Sequence, residues 1–250
     1  MKKAFFCMAI AALFPLGAAD VYLAGDSTMA TYPESFKPHT GWGEVLQEFA
    51  KKSVTVHNHA SGGRSSKSFR TEKRWDAILN SMKPGDFIII QFGHNDQVIA
   101  NPYHYADPEK DFPANLRRFI AEVRAQGGHP VIMSPTACCN FNDKGQAFNR
   151  VALQKYVNAA RKVASEEKVD FINHNAWMLA ELTQMGQTES QKKIFLYLPP
   201  GKYPAYPAGK EDGIHLKPSG AYYLAAGMIK LAKEHNLAIG KLFNSEPLKR

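Results

Sequence analysis

The chain has 250 residues, of which 44% are hydrophobic, 22% charged and 11% aromatic, with 18 Gly and 15 Pro. These are ordinary globular values, enough for one good-sized domain, and they exclude a disordered tail, a collagen-like rod, a coiled coil and a multipass membrane protein. Lys and Arg number 31 against 23 Asp and Glu, a formal balance of +8.

Lys2 and Lys3 open the sequence, a 13-residue apolar run from Ala4 to Leu16 follows, and Gly17-Ala18-Ala19 precedes the polar Asp20. A basic start, a short apolar core and small residues before a polar one predict a secretory signal peptide cleaved after Ala19. The run is too short to cross roughly 30 Å of hydrocarbon comfortably, so no stable membrane insertion is expected after cleavage. The reading divides the chain into a signal peptide over 1–19 and a single domain over 20–250, secreted or periplasmic. Removing residues 1–19 leaves 231 residues with 29 Lys and Arg against 23 acids, a balance of +6. Cys7 lies inside the apolar run, not behind a small-residue box, which argues against a lipid-modified cysteine. Only Cys138 and Cys139 then remain. Adjacent cysteines close a strained ring, so they are expected to be two partly buried thiols near a strand end.

Short apolar runs alternate with helical patterns in the rest of the chain, the arrangement of βαβ units on a parallel sheet. In chain order the expected elements are a strand over 21–25, a helix over 43–51, a strand over 54–58 and a helix over 74–81. A strand over 87–92 follows, then a helix over 115–126, a strand over 130–134 and a helix over 148–167. A strand over 170–173, a helix over 176–185 and a last helix beyond Pro218, through 221–235, complete the series. Phe87-Ile88-Ile89-Ile90 is continuously apolar, as in a central strand covered on both faces. Val151, Tyr156, Val157, Val163 and Ala164 recur near helical spacing. Two stretches, 97–113 and 188–213, are rich in Pro and Tyr and too long for simple connections. The expected fold is a three-layer α/β/α sandwich, one domain with a parallel central sheet and two elaborated loops.

Ligands of open parallel sheets bind at the carboxyl ends of the strands. Those positions carry Gly25-Asp26-Ser27-Thr28, Ser61-Gly62-Gly63-Arg64-Ser65 and Gly93-His94-Asn95-Asp96, and Asp212-Gly213-Ile214-His215 stands before the last helix. A serine hydrolase needs a hydroxyl, an imidazole, a carboxylate to orient it, and oxyanion donors. Ser27 offers the hydroxyl and its own N–H, Gly63 an N–H unshielded by a Cβ, and Asn95 a side-chain NH₂. Asp212 and His215, three apart, are expected to share one side of a helix-like turn and fold back over Ser27.

These blocks, in this order and spacing, resemble the SGNH (GDSL) hydrolases. Tyr22–Ala30, Gly41-Trp42-Gly43-Glu44, Gly63-Arg64-Ser65 and Phe92–Asp96 look like the rhamnogalacturonan acetylesterase branch, and the likeness runs from Val21 to the last helix. It implies a flavodoxin-like, mainly five-stranded sheet, a Ser27, His215 and Asp212 triad, and an oxyanion hole from Ser27, Gly63 and Asn95. It also implies an esterase that removes acetyl groups from a pectic polysaccharide, most naturally rhamnogalacturonan, and the signal-peptide pattern makes that esterase an exported one. The alternatives are another SGNH esterase, acting on acetylxylan, a different acetylated sugar or a lipid-like ester, and a non-catalytic carbohydrate-binding protein on the same fold. The expected partner is an acetylated polysaccharide or oligosaccharide, with neither nucleic acid nor an obligate protein partner.

Arg64 follows the oxyanion glycine and is expected to brace the loop, the other reading being a contact to a substrate carboxylate. His94 is read as a loop support or a substrate contact. Tyr197, Tyr203 and Tyr206 are candidates to stack on sugar rings, as are Tyr103 and Tyr105, whereas Trp42 is assigned to packing. No cofactor and no metal is expected. His57 and His59 share a face at a strand end and are assigned ordinary hydrogen bonds, and the Gly-Asn-His block of two-metal phosphoesterases is absent. Neither a Gly-x-Ser-x-Gly elbow nor a Gly-Lys-Ser/Thr phosphate loop occurs, and Ser165-Glu166-Glu167-Lys168 is read as a solvated helix end.

Overall fold

The computed structural model describes residues 19–248. The signal-peptide segment assigned to residues 1–19, including Cys7, lies outside the described residues except for Ala19. Five parallel strands form the central sheet: β1 (Val21–Gly25), β2 (Val56–Asn58), β3 (Phe87–Gln91), β4 (His129–Met133) and β5 (Asp170–Ile172), in the order β2-β1-β3-β4-β5. Chain order runs outward in one direction from β1 and then in the other from β3, so the sheet reverses between β1 and β3. That reversal opens a crevice beyond the strands' carboxyl ends.

Because strand side chains alternate, each strand feeds two cores. Val21, Leu23, Phe87, Ile89, Val131, Met133 and Ile172 face one, packed with α1 (Trp42–Val45), α6 (His174–Met185) and α8 (Pro218–Glu234). Tyr22, Ala24, Ile88, Ile90 and Ile132 face the other, packed with α2 (Ser66–Thr71), α3 (Arg74–Ser81), α4 (Asp111–Ala125) and α5 (Val151–Glu167). The expected three-layer sandwich with a five-stranded parallel sheet is therefore what the chain forms.

Boundaries move where local chemistry overrides periodicity. The helix expected over 43–51 is a single turn, α1, continued as a 3₁₀ segment over Leu46–Phe49. Helix α4 starts at Asp111, four residues before the expected start, because Pro113 in a first turn gives up an N–H that has no intrahelical partner anyway. Val151 is exposed although it fits the helical stripe, since it opens α5, while Tyr156, Val157, Val163 and Ala164 are buried as expected. Helix α2 was not expected; Ser65 caps it, accepting from the Ser68 N–H while Ser68 Oγ accepts from the Ser65 N–H. The segment expected to be irregular over 188–213 contains α7 (Gln187–Lys193) and an antiparallel hairpin of β6 (Phe195–Leu198) and β7 (Lys210–Leu216).

Candidate active site

Three of the four polar blocks leave the carboxyl ends of β1, β2 and β3, and the hairpin brings the fourth to the same rim. Ser27 stands on the turn after β1. Asp26 Oδ1 accepts from the Thr28 N–H at 2.9 Å and from Thr28 Oγ1 at 2.8 Å. Gln91, at the end of β3, donates to Thr28 Oγ1 at 2.8 Å and accepts from Trp42 Nε1 at 3.0 Å. The Trp42 N–H reaches Thr28 O at 2.9 Å. Gly41 and Gly43 let this contact form, since a Cβ on Gly41 would lie 2.1 Å from Ala30 O and one on Gly43 2.5 Å from Met29 O. Trp42 is thus fully buried packing, as assigned, and it fixes the Ser27 turn.

His215 Nε2 lies 2.9 Å from Ser27 Oγ, and His215 Nδ1 lies 2.8 Å from Asp212 Oδ2. Asp212 Oδ1 accepts from the N–H groups of Ile214 at 2.9 Å and His215 at 3.0 Å. The helix-like turn expected here is absent. β7 pairs Asp212 with Leu196 and Leu216 with Phe195, so Gly213-Ile214-His215 bulge out between consecutive partners. The bulge aims imidazole and carboxylate to one side, as a helical turn would. Burial works against the Asp212 charge, but hydrogen bonds from the His215 ring and backbone, with the N–H of Ile214, hold its carboxyl well below the usual carboxylate range.

Gly63 has φ of +77°, a left-handed conformation suited to glycine, and nothing stands within 4 Å of the Cβ position. A Cβ on neighbouring Gly62 would lie 3.9 Å from Ser27 Cβ, which places the turn beside the serine. Asn95 Nδ2 donates one hydrogen to Arg64 O at 3.0 Å and has a second to offer. Among the described residues the Ser27 and Gly63 N–H groups have no protein acceptor. The arrangement can take a proton from Ser27 Oγ, orient the imidazolium and present donors to an oxyanion beside the serine.

Arg64 braces the loop: Nε reaches Glu72 at 2.9 Å and Nη1 donates to Gly62 O at 2.7 Å. Glu72 also receives Arg74 at 2.7 Å and Tyr103 Oη at 3.2 Å. Burial opposes the Glu72 charge, but its Arg74 and Arg64 partners lower its carboxyl to about 2. Tyr103 is therefore engaged with the brace, and Tyr105 pairs with Asp107. His94 is buried, with Nε2 3.1 Å from Thr136 Oγ1, and supports its loop. Tyr197 and Asp212 line a common cavity; Tyr206 is close enough to Asp212 that burial and the carboxylate raise its phenol, and Tyr203 pairs with it across the turn.

Two residues that the sequence did not single out stand behind the triad. Tyr32 donates to Ser27 O at 2.9 Å and stacks on His39, ring centroids 3.6 Å apart, and the His39 ring lies 4.6 Å from that of His215. Burial first, and proximity to His215 second, push the His39 imidazole down to about 3, so it stays neutral beside the working histidine. His57, by contrast, bonds Asp20 at 3.0 Å, as assigned, whereas the His59 ring, expected to hydrogen-bond too, stacks on Tyr22 as the His57 ring does. Cys138 and Cys139 are free, partly buried thiols.

The profile of the GDSL-like Lipase/Acylhydrolase family matches residues 23–221. The rhamnogalacturonan acetylesterase RhgT of Bacillus subtilis is 35% identical over 205 residues, covering 82% of this chain and 85% of that protein. A rhamnogalacturonan acetylesterase of Emericella nidulans is 29% identical over 188 residues, covering 68% and 72%. The solved structure of Bacillus subtilis YxiM superposes with a TM-score of 0.74 at 28% identity, over 88% of this chain and 57% of that one. With the family profile spanning most of the sheet and the relatives matching most of its length, the chain belongs to the GDSL-like lipase/acylhydrolase family, in its rhamnogalacturonan acetylesterase-like branch, and is a carboxylic ester hydrolase.

Proposed function

We propose that the protein is an exported serine carbohydrate esterase that removes O-acetyl groups from a pectic polysaccharide, with rhamnogalacturonan as the preferred polymer. The observation that carries the chemistry is the unbroken relay from Ser27 Oγ through His215 to Asp212, at 2.9 and 2.8 Å. In this reading His215 Nε2 takes the hydroxyl proton as Ser27 Oγ attacks the acetyl carbonyl carbon. The N–H groups of Ser27 and Gly63 and the Asn95 side chain hold the tetrahedral oxyanion. The intermediate collapses, the sugar alcohol leaves with the proton from His215, and water activated by His215 then cleaves the acetyl-serine ester to release acetate.

The likeness to two rhamnogalacturonan acetylesterases supports the choice of polymer. The basic balance, still +6 after removal of residues 1–19, suits a uronate-bearing polymer. Export rests on the basic-apolar-small pattern before Asp20, and Asp20 as the N-terminal residue of protein recovered outside the cytoplasm would test it. The chemistry is tested by acetate release from acetylated rhamnogalacturonan. Wild type should release acetate and Ser27→Ala, folded to the same melting temperature, should release none; equal release by both would remove Ser27 from the reaction.

A further inference from the structure

The segment 32–40 is a strap between the two sides of the triad. At one end the Tyr32 phenol donates to Ser27 O at 2.9 Å, on the turn after β1, and a Cβ on Gly62 would lie 3.5 Å from the same phenol oxygen. At the other end the Thr40 N–H donates to Leu216 O at 3.0 Å, on β7 one residue beyond His215. The strap is tied along its length: the Tyr32 N–H donates to Glu44 Oε2 at 3.0 Å, Glu44 pairs with Lys37, and the His39 N–H donates to Phe36 O at 2.9 Å.

Two rings of the strap form a stack that ends on His215. The Tyr32 and His39 rings lie 3.6 Å apart with planes 25° from parallel, and the His39 ring meets that of His215 at 4.6 Å and 59°. His39 is 7% exposed, and its Nε2 is buried with no hydrogen-bond partner among the described residues. Stacking and the tied backbone, not that nitrogen, therefore hold the ring in place. Burial and then His215 outweigh the pull of Asp212 on the His39 charge, and Lys210 and Lys37 add to them. The phenols of Tyr32 and Tyr206 are raised by burial first and by nearby carboxylates second. These three rings stay uncharged at neutral pH, so the charges facing the stack are Asp212 and Lys210 on β7 and Lys37 on the strap.

His215 is otherwise held by its two nitrogens, Nδ1 on Asp212 and Nε2 on Ser27 Oγ. Two such contacts leave an imidazole free to roll about the line joining them, which turns the nitrogen lone pair off its target. A contact away from that line stops the roll. We propose that His39 is a positioning residue for His215: clamped on Tyr32, its ring is the third contact, which keeps the Nε2 lone pair aimed at the Ser27 hydroxyl and keeps water off the imidazole. Small misplacements of a catalytic group are costly in turnover, which gives such a contact its effect. The inference rests on the Ser27–His215 relay read above and is independent of the polymer.

Hydrolysis of 4-nitrophenyl acetate by the intact protein tests this without a polysaccharide. His39→Ala should lower kcat by roughly tenfold or more with KM little changed. The acid limb of its kcat/KM profile should move to higher pH, because water reaching an imidazole favours the charged form. His39→Phe keeps a ring and leaves no buried nitrogen without a partner, so it should recover most of the kcat and the wild-type acid limb. If His39→Phe does not reach the wild-type melting temperature, Tyr32→Phe and Tyr32→Leu repeat the comparison from the other ring: the first keeps the stack and should keep the acid limb, the second should displace it. A His39→Ala protein with wild-type kcat and acid limb, a loss confined to KM, or a His39→Phe protein no faster than His39→Ala would overturn the proposal. Ser27→Ala separates the two failures. Undiminished hydrolysis by that variant would discard the relay itself, whereas an inactive Ser27→Ala beside an unimpaired His39→Ala would discard only the role of His39.

Discussion

At the residue scale, Ser27 is 9% exposed, and the His215 and Asp212 side chains are 27% and 14% exposed, so the carboxylate lies behind the ring it orients. Asp212 keeps its charge far into acid. Acid should therefore inactivate through His215, because a protonated imidazole cannot take the Ser27 proton. A depressed carboxylate stabilises its pair above its unfolded pKa and loses that stability only as pH falls through the folded one. A kcat/KM profile with a single acidic group is expected; a second step from Asp212 in the ordinary carboxylate range would contradict the pairing. Asn95→Ala should lower kcat by roughly 10²–10³, the loss expected for one oxyanion donor. Wild-type-like kcat in that variant would remove Asn95 from the hole. Ser27, Gly63, Asn95, Asp212 and His215 were legible in the sequence because each belongs to a short block with its own spacing. Tyr32 and His39 were not, since their roles depend on ring stacking between chain segments that no local pattern records.

At the element scale, the Ser27 turn depends on a strand end and a one-turn helix. Gln91 is a polar residue at the end of the apolar strand β3, fully buried, and it bridges Trp42 to Thr28. Gln91→Ala leaves the Trp42 Nε1–H group without its acceptor, a cost of about 1–3 kcal/mol. The expected result is a lower melting temperature together with lower kcat; a stable but slow variant would place Gln91 closer to the chemistry. Gly43→Ala should be destabilising too, because its Cβ would have to lie 2.5 Å from Met29 O. The parallel strands were readable from continuous apolar runs such as Phe87-Ile88-Ile89-Ile90. The β6–β7 hairpin was not, because Pro199, Pro204 and Pro207 in its connection resemble loop sequence. The bulge at Gly213-Ile214-His215 hid the strand further, since it breaks the alternation that marks one.

At the scale of the whole molecule, the sheet reversal between β1 and β3 collects the polar turns, and the net basic balance gives the molecule a long-range attraction for polyanions at low salt. Raising ionic strength should therefore increase KM for a uronate-rich polymer more than for a neutral acetylated one, and equal salt dependence on both would leave the charge without a part in binding. The α/β alternation and net charge were visible in the sequence; the cavity beside Asp212 was not, because the segments after β3 and β4, the start of α5, β6 and β7 each supply part of its wall. The central claim is an acetylesterase matched to rhamnogalacturonan, and its most direct test is kcat/KM for acetate release from acetylated rhamnogalacturonan, homogalacturonan and xylan side by side. The highest value is predicted for rhamnogalacturonan, and a value as high or higher on xylan would contradict it.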